Sequence, residues 1–128
     1  MSWSGYTPAE QKQLENQKPW DGNRSTWMTQ LPGFLKLRDL TIPGTHDSAA
    51  LDGYVQYGVS VTQVWRIEHQ LNSGVRFLDL RVGFSPAPWG LDMYHGSDHI
   101  NDPTCIPRDP KSWYHYKQVI STCVNFLK

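Results

Sequence analysis

Residues 75–82 read VRFLDLRV, and this stretch constrains the fold more than any other. Side chains alternate along a strand, so Phe77, Asp79 and Arg81 share one face while Leu78, Leu80 and Val82 share the other. A strand that aims a carboxylate and a guanidinium one way and three aliphatic groups the other needs a polar site on one side and a core on the other. What flanks it sets the class. Upstream, a short apolar run around residues 40–42 suits a buried strand that Pro43 and Gly44 end. Between the two strands, Val64, Ile67 and Leu71 recur at helical spacing over residues 63–72, with Thr62 placed to cap the helix and Gly74 to stop it. Strand, helix, strand is the opening of an α/β alternation, which builds a parallel sheet covered by helices.

Downstream, GLDMYHG reads as another short strand, and the polar, proline-containing residues 97–111 read as a loop. A closing helix follows, with Asp109 as N-cap, Pro110 at its first position and an apolar stripe of Tyr116, Val119, Ile120, Cys123, Val124 and Leu127. Residues 1–26 hold Trp3 and Trp20 but no sustained hydrophobic period, and they read as an irregular leader before a domain over residues 27–128.

Composition narrows the function classes. Twelve basic side chains balance 12 acidic ones, which leaves no broad positive field to gather nucleic acid, so phosphate recognition would fall to a few placed groups. Cys105 and Cys123 match neither a disulfide scaffold nor a common zinc motif. No apolar run approaches the roughly 20 residues of a membrane span, and the first residues, MSWSGYTPAEQKQ, lack the regions of a signal peptide. The expected location is cytoplasmic or peripheral to a membrane.

Three segments place polar groups where a parallel strand would deliver them into a site. IPGTHDS sets His46 and Asp47 just after a strand, FLDLR aims Asp79 and Arg81 together, and MYHG brings His95, with Gly96 behind it to permit close approach. Two histidines, an arginine and two carboxylates suit in-line attack on a phosphodiester without a metal. One imidazole accepts the nucleophile's proton, the other protonates the leaving oxygen, and the guanidinium holds the non-bridging oxygens. Other readings are blander. Asp79 and Arg81 would serve as an inward ion pair in a barrel layer, and His95 and His99 with Asp98 and Asp102 would form a metal site only with a geometry that a loop does not define. His69 and His115 read as surface or groove residues, and Trp113, Tyr114 and Tyr116 as core and helix-start packing.

IPGTHDSAA, QLNSGVRFLDLR and YHG, in this order and with these gaps, resemble the X domain of phosphatidylinositol-specific phospholipases C. The similarity runs from Trp27 to the end, where YKQVISTCVNFLK is similar to the family's segment before its next barrel strand. The resemblance implies an α/β fold, the N-terminal portion of a TIM-type (β/α) barrel. That barrel is incomplete here, since a whole one takes about 250 residues. It implies His46 as general base, His95 as general acid, Arg81 on phosphate, Asp47 supporting acid and guanidinium, and Asp79 holding the polar network. The implied reaction cleaves a phosphoinositide to diacylglycerol and a cyclic inositol phosphate, with phospholipid as substrate, peripheral membrane contact and no nucleic acid. Calcium-dependent members carry an acidic residue at the position of Arg81 and an asparagine after the first histidine. Arg81 and Asp47 therefore imply the metal-independent, bacterial-like branch, with no cofactor. In the family, the carboxylate that orients the general base lies on later strands. A catalytically incomplete fragment that binds a lipid headgroup or a partner is the alternative, and a metal-dependent phosphodiesterase acting on glycerophosphodiesters or sphingolipids is a third reading. Oligomeric state is not legible.

Overall fold

The computed structural model describes residues 5–17, 21–51, 60–85, 90–104 and 112–128. Trp3, Trp20, Cys105 and the expected helix start at Asp109 and Pro110 lie outside them. The chain forms two compact units, Met1–Thr41 and Ile42–Lys128, and its secondary structure mixes helix and sheet.

The first unit is not wholly irregular, because it contains a helix, α1 (Pro8–Glu15). Thr7 caps it by accepting from the Glu10 N–H, and the Glu10 carboxylate accepts in turn from the Thr7 N–H at 2.6 Å, a reciprocal box with Pro8 at the first helical position. The helix buries no residue, which is why it shows no apolar period. Elsewhere in this unit Tyr6 donates to Asp39 Oδ2 and meets the Phe34 ring edge-on.

In the second unit the first strand falls later than residues 40–42. Strand β1 is Gly44–Thr45, and it pairs in parallel with β2 (Phe77–Leu78), Gly44 opposite Phe77 and Thr45 opposite Leu78. Position 44 is tight: a Cβ there would stand 3.0 Å from Phe77 Cδ1 and 3.3 Å from the Phe77 carbonyl oxygen, so Phe77 would have to give by a few tenths of an ångström. Helix α2 (Ile67–Asn72) joins the two strands and starts four residues later than its apolar period suggests. The reason is long-range. Thr62 caps no helix, because its hydroxyl donates to the Asp47 carbonyl at 3.0 Å and the amide of Gln63 donates to the His46 carbonyl at 2.5 Å. Both backbone N–H groups go to the Ala50 carbonyl. The stop is as expected, with Gly74 in the left-handed region at φ +102°.

The stretch VRFLDLRV divides into β2 and β3 (Val82–Phe84), with Asp79, Leu80 and Arg81 between them. Asp79 stays tied to the end of β1, its N–H shared between the Thr45 carbonyl at 3.3 Å and the Ser48 hydroxyl at 2.9 Å, and its carbonyl accepts from the Ser48 N–H. Leu78 and Leu80 pack on the core, whereas Val82 is exposed, so the expected apolar face ends at Leu80. Strand β4 (Leu91–His95) runs antiparallel to β3 with Val82 opposite Met93, and the Tyr94 N–H donates to the Arg81 carbonyl. The region expected as loop from residue 97 instead begins with β5 (Asp98–His99), paired to β4 through a two-residue turn. Gly96 sits in that turn at φ +62°, and a Cβ there would meet nothing within 4 Å. Turn conformation, rather than close packing, is what asks for glycine at this position.

The core joins Ala49 and Ala50 behind the His46 loop, Ile67 and Leu71 on α2, Met93 on β4, Ile100, Tyr114, and Val119 on α3 (Tyr116–Phe126). His115 is not a groove residue without a task. It is the N-cap of α3, its N–H donates to Gln118 Oε1, and its Nδ1 lies 2.6 Å from the fully buried Asp92 carboxylate on β4. His99 stands 3.5 Å from the same carboxylate, stacked on Trp113 and tilted against Tyr94 with centroids 4.1 Å away in each case. Val119 is buried and Cys123 half-buried, while Ile120, Val124 and Leu127 of the predicted stripe are exposed.

One buried amide ties the helix to the strand end. Gln70 on α2 accepts from the Thr45 hydroxyl at 2.6 Å and donates to the carbonyls of Ser48 at 2.8 Å and Trp65 at 2.6 Å. Gln70→Leu is expected to lower the unfolding free energy by about 2 kcal/mol, because buried acceptors then lose their donor. Urea denaturation measures it, and a loss within the roughly 0.5 kcal/mol typical of surface changes would make these bonds dispensable.

Candidate active site

The loop after β1 turns sharply at Asp47, whose φ of +44° lies in the left-handed region. Among non-glycine residues, aspartate and asparagine enter that region most readily. The Asp47 N–H donates to Asp79 Oδ2 at 3.1 Å, so one loop and one strand end hold each other. The turn carries the Asp47 carboxylate inward, to 1% side-chain exposure, and leaves His46 outside at 66%.

Around that carboxylate the five predicted residues meet. Arg81 Nε lies 2.7 Å from Asp47 Oδ1, and His95 Nε2 lies 3.2 Å from Asp47 Oδ2. These are ion-pair contacts without aligned N–H bonds. Asp79 Oδ2 accepts from Arg81 Nη2 at 3.2 Å and stands 3.2 Å from His46 Nδ1. The elements explain the meeting. Parallel pairing of β1 with β2 puts the His46 loop beside Asp79, and the β3–β4 hairpin folds His95 back next to Arg81.

Each imidazole has its own surroundings. His46 Nδ1 stands between the Asp79 carboxylate at 3.2 Å and Arg81 Nη2 at 3.4 Å. His46 Nε2 is 3.5 Å from Asp47 Oδ2, too far for a strong hydrogen bond, on a ring that is 66% exposed. His95 is more enclosed, at 24% exposure, with Nδ1 donating to the Ser60 carbonyl at 2.9 Å. The Asp79 carboxyl is held below its usual range, chiefly by the Asp47 N–H; burial, the next largest effect, opposes this, and the hydrogen bond and charge of Arg81 and the charge of His46 add to the lowering. Arg81 remains 42% exposed, so part of its guanidinium faces solvent. Beside the cluster, Gly44, Thr45, His46, Phe77 and Asp79 line an open cavity of about 340 Å³.

Over 79 residues, 59% of its length, the chain is 34% identical to the 1-phosphatidylinositol phosphodiesterase of Listeria monocytogenes serovar 1/2a, covering 23% of that protein. It is also 31% identical over 94 residues to PI-PLC X domain-containing protein 1 of Mus musculus, covering 51% of this chain and 27% of the relative. Both matches support a PI-PLC X domain, with partial coverage. It spans about a quarter of the length of the curated relatives it matches. No family model and no solved structure matches it.

Sequence reasoning missed the side chains that hold the site from behind. Thr62, Gln63 and Gln70 pin the His46 loop, Ser60 meets His95, and Asp98 meets Ser60. Their contacts span 15 to 38 residues of sequence, so no local pattern announces them.

Proposed function

We propose that this part of an X domain carries the acid–base and phosphate-holding groups of a phosphoinositide-cleaving phospholipase C, on the first units of a TIM-type barrel. The supporting observation is the single buried carboxylate of Asp47, which brings Arg81, His95 and His46 within 3.5 Å of its oxygens. In this reading His46 Nε2 takes the proton of the inositol 2-hydroxyl as that oxygen attacks phosphorus. The bond from phosphorus to the diacylglycerol oxygen breaks, and His95 gives that oxygen a proton. The products are diacylglycerol and a cyclic inositol phosphate. Arg81 supplies the positive charge on the phosphoryl oxygens that calcium supplies in other branches, so the reaction needs no metal.

Release of cyclic inositol phosphate from phosphatidylinositol vesicles in the presence of EDTA is the expected result, from this chain or from a longer polypeptide that contains it. Release that stops on chelation would overturn the metal-independent assignment and favour a metal-dependent phosphodiesterase.

A second reading has its own observation. Phe77 and Phe84 are 64% and 88% exposed, and Ile120, Val124 and Leu127 line the open side of α3. A unit with these exposed apolar groups would bind a lipid headgroup or a partner without turnover. Vesicle binding that survives His46→Ala and His95→Ala, with no cyclic phosphate from any polypeptide containing the chain, would decide for it.

A further inference from the structure

We propose that Ser60 and Asp98 are positioning residues that lock the His95 imidazole in its proton-donating orientation; this rests on His95 acting as the general acid. Asp98 sits on β5 directly across the hairpin from His95 on β4. It does not touch the ring. Its carboxylate instead accepts from the hydroxyl of Ser60, a buried residue 38 positions earlier, and the Ser60 carbonyl accepts from His95 Nδ1 at 2.9 Å. The hairpin that carries the histidine thus also carries the group that brings Ser60 onto it.

The chemistry of the two partners gives the arrangement its meaning. A backbone carbonyl can only accept, so Nδ1 must carry a proton. At the other end of the ring, the Asp47 carboxylate is an ion-pair neighbour, its Oδ2 3.2 Å from Nε2. A carbonyl acceptor at one nitrogen and a carboxylate beside the other fix the plane of the ring. His46 differs, since its Nδ1 stands between a donor, Arg81 Nη2 at 3.4 Å, and the Asp79 carboxylate at 3.2 Å. The two histidines are separated in role by what surrounds them, and Ser60 with Asp98 sets the His95 side. Asp47 belongs to both rings, whereas Ser60 and Asp98 act on one.

Two measurements test this. In Asp98→Ala and Ser60→Ala, kcat on phosphatidylinositol should fall about tenfold to a hundredfold with KM little changed, the scale of a misplaced catalytic group. The double variant should fall no further than either single one, because both remove the same link. Asp98→Asn keeps an acceptor for the Ser60 hydroxyl and should recover most of the rate. On a nitrophenyl inositol phosphodiester, whose leaving oxygen needs no proton, the loss should vanish. Equal losses on both substrates would mean general damage to the fold and would overturn the proposal. Independently of turnover, 15N NMR of the His95 ring should show a fixed Nδ1–H in the unaltered chain and tautomer exchange in Asp98→Ala. Unchanged ring signals would also overturn it. Altered ring signals with no cyclic phosphate from any polypeptide would keep the positioning role and remove the catalytic reading.

Discussion

Arg81→Lys is expected to lower turnover on phosphatidylinositol by about a hundred- to a thousandfold, the usual cost of losing one preorganised electrostatic stabiliser. The substitution keeps the charge, so the size of the effect follows from geometry. Arg81 serves three clients through one planar group. Its Nε faces Asp47, its Nη2 donates to Asp79, and its exposed remainder is open to a phosphoryl group. A lysine ammonium is a single point on a flexible stem and cannot hold two carboxylates in fixed positions while presenting two parallel N–H groups to phosphate. Asp47 and Asp79 also contact His95 and His46, so loosening the arginine loosens both imidazoles. Folding should change little, because Arg81 is partly solvated and exposed ion pairs contribute about 1 kcal/mol or less. Kinetics together with urea denaturation separate the two effects. Turnover within threefold of the unaltered protein would remove Arg81 from the phosphate-holding role.

What the sequence disclosed follows from how far each signal travels along the chain. His46, Asp47, Asp79, Arg81 and His95 were legible because proline–glycine punctuation and strand alternation are local, and each motif carries its own direction. The extents of the strands were not. β1 comes at Gly44–Thr45 rather than at residues 40–42 because its position is set by pairing with Phe77–Leu78, some 30 residues away. The late start of α2 has a similar cause, since the residues that would form its first turn are spent on the carbonyls of Ala50, His46 and Asp47. Helix α1 is a different case. Its capping box is plain in TPAE, yet it buries nothing, so a search for hydrophobic period passes over it. His115 and Asp92 meet only once β4 and the start of α3 are side by side, and neither residue's neighbours hint at the other.

Asp47→Asn should be the most informative change, because it removes charge while leaving shape and backbone in place. Asparagine adopts the left-handed region about as readily as aspartate, so the turn at φ +44° survives, whereas Asp47→Ala adds roughly 1–2 kcal/mol of backbone strain. In the variant, the carboxylate that faces Arg81 Nε at 2.7 Å and His95 Nε2 at 3.2 Å becomes an amide. Its oxygen can answer one of these donors, and its NH₂ must then face the other. Either Arg81 or His95 loses its anchor. The expected fall in kcat is about a hundredfold or more, from two functions that share one group. Stability should not follow in proportion. Breaking a fully buried pair costs about 3–5 kcal/mol because the surviving charge is stranded. Here Arg81 is 42% exposed and His95 24%, so water takes up the released partners, and a loss nearer 1 kcal/mol is expected. Two comparisons decide the matter. If Asp47→Asn unfolds the protein as severely as Asp47→Ala, the carboxylate is chiefly a structural anchor. If it folds normally and retains full turnover, the buried charge is not what organises the site, and the acid–base reading of His95 loses its support.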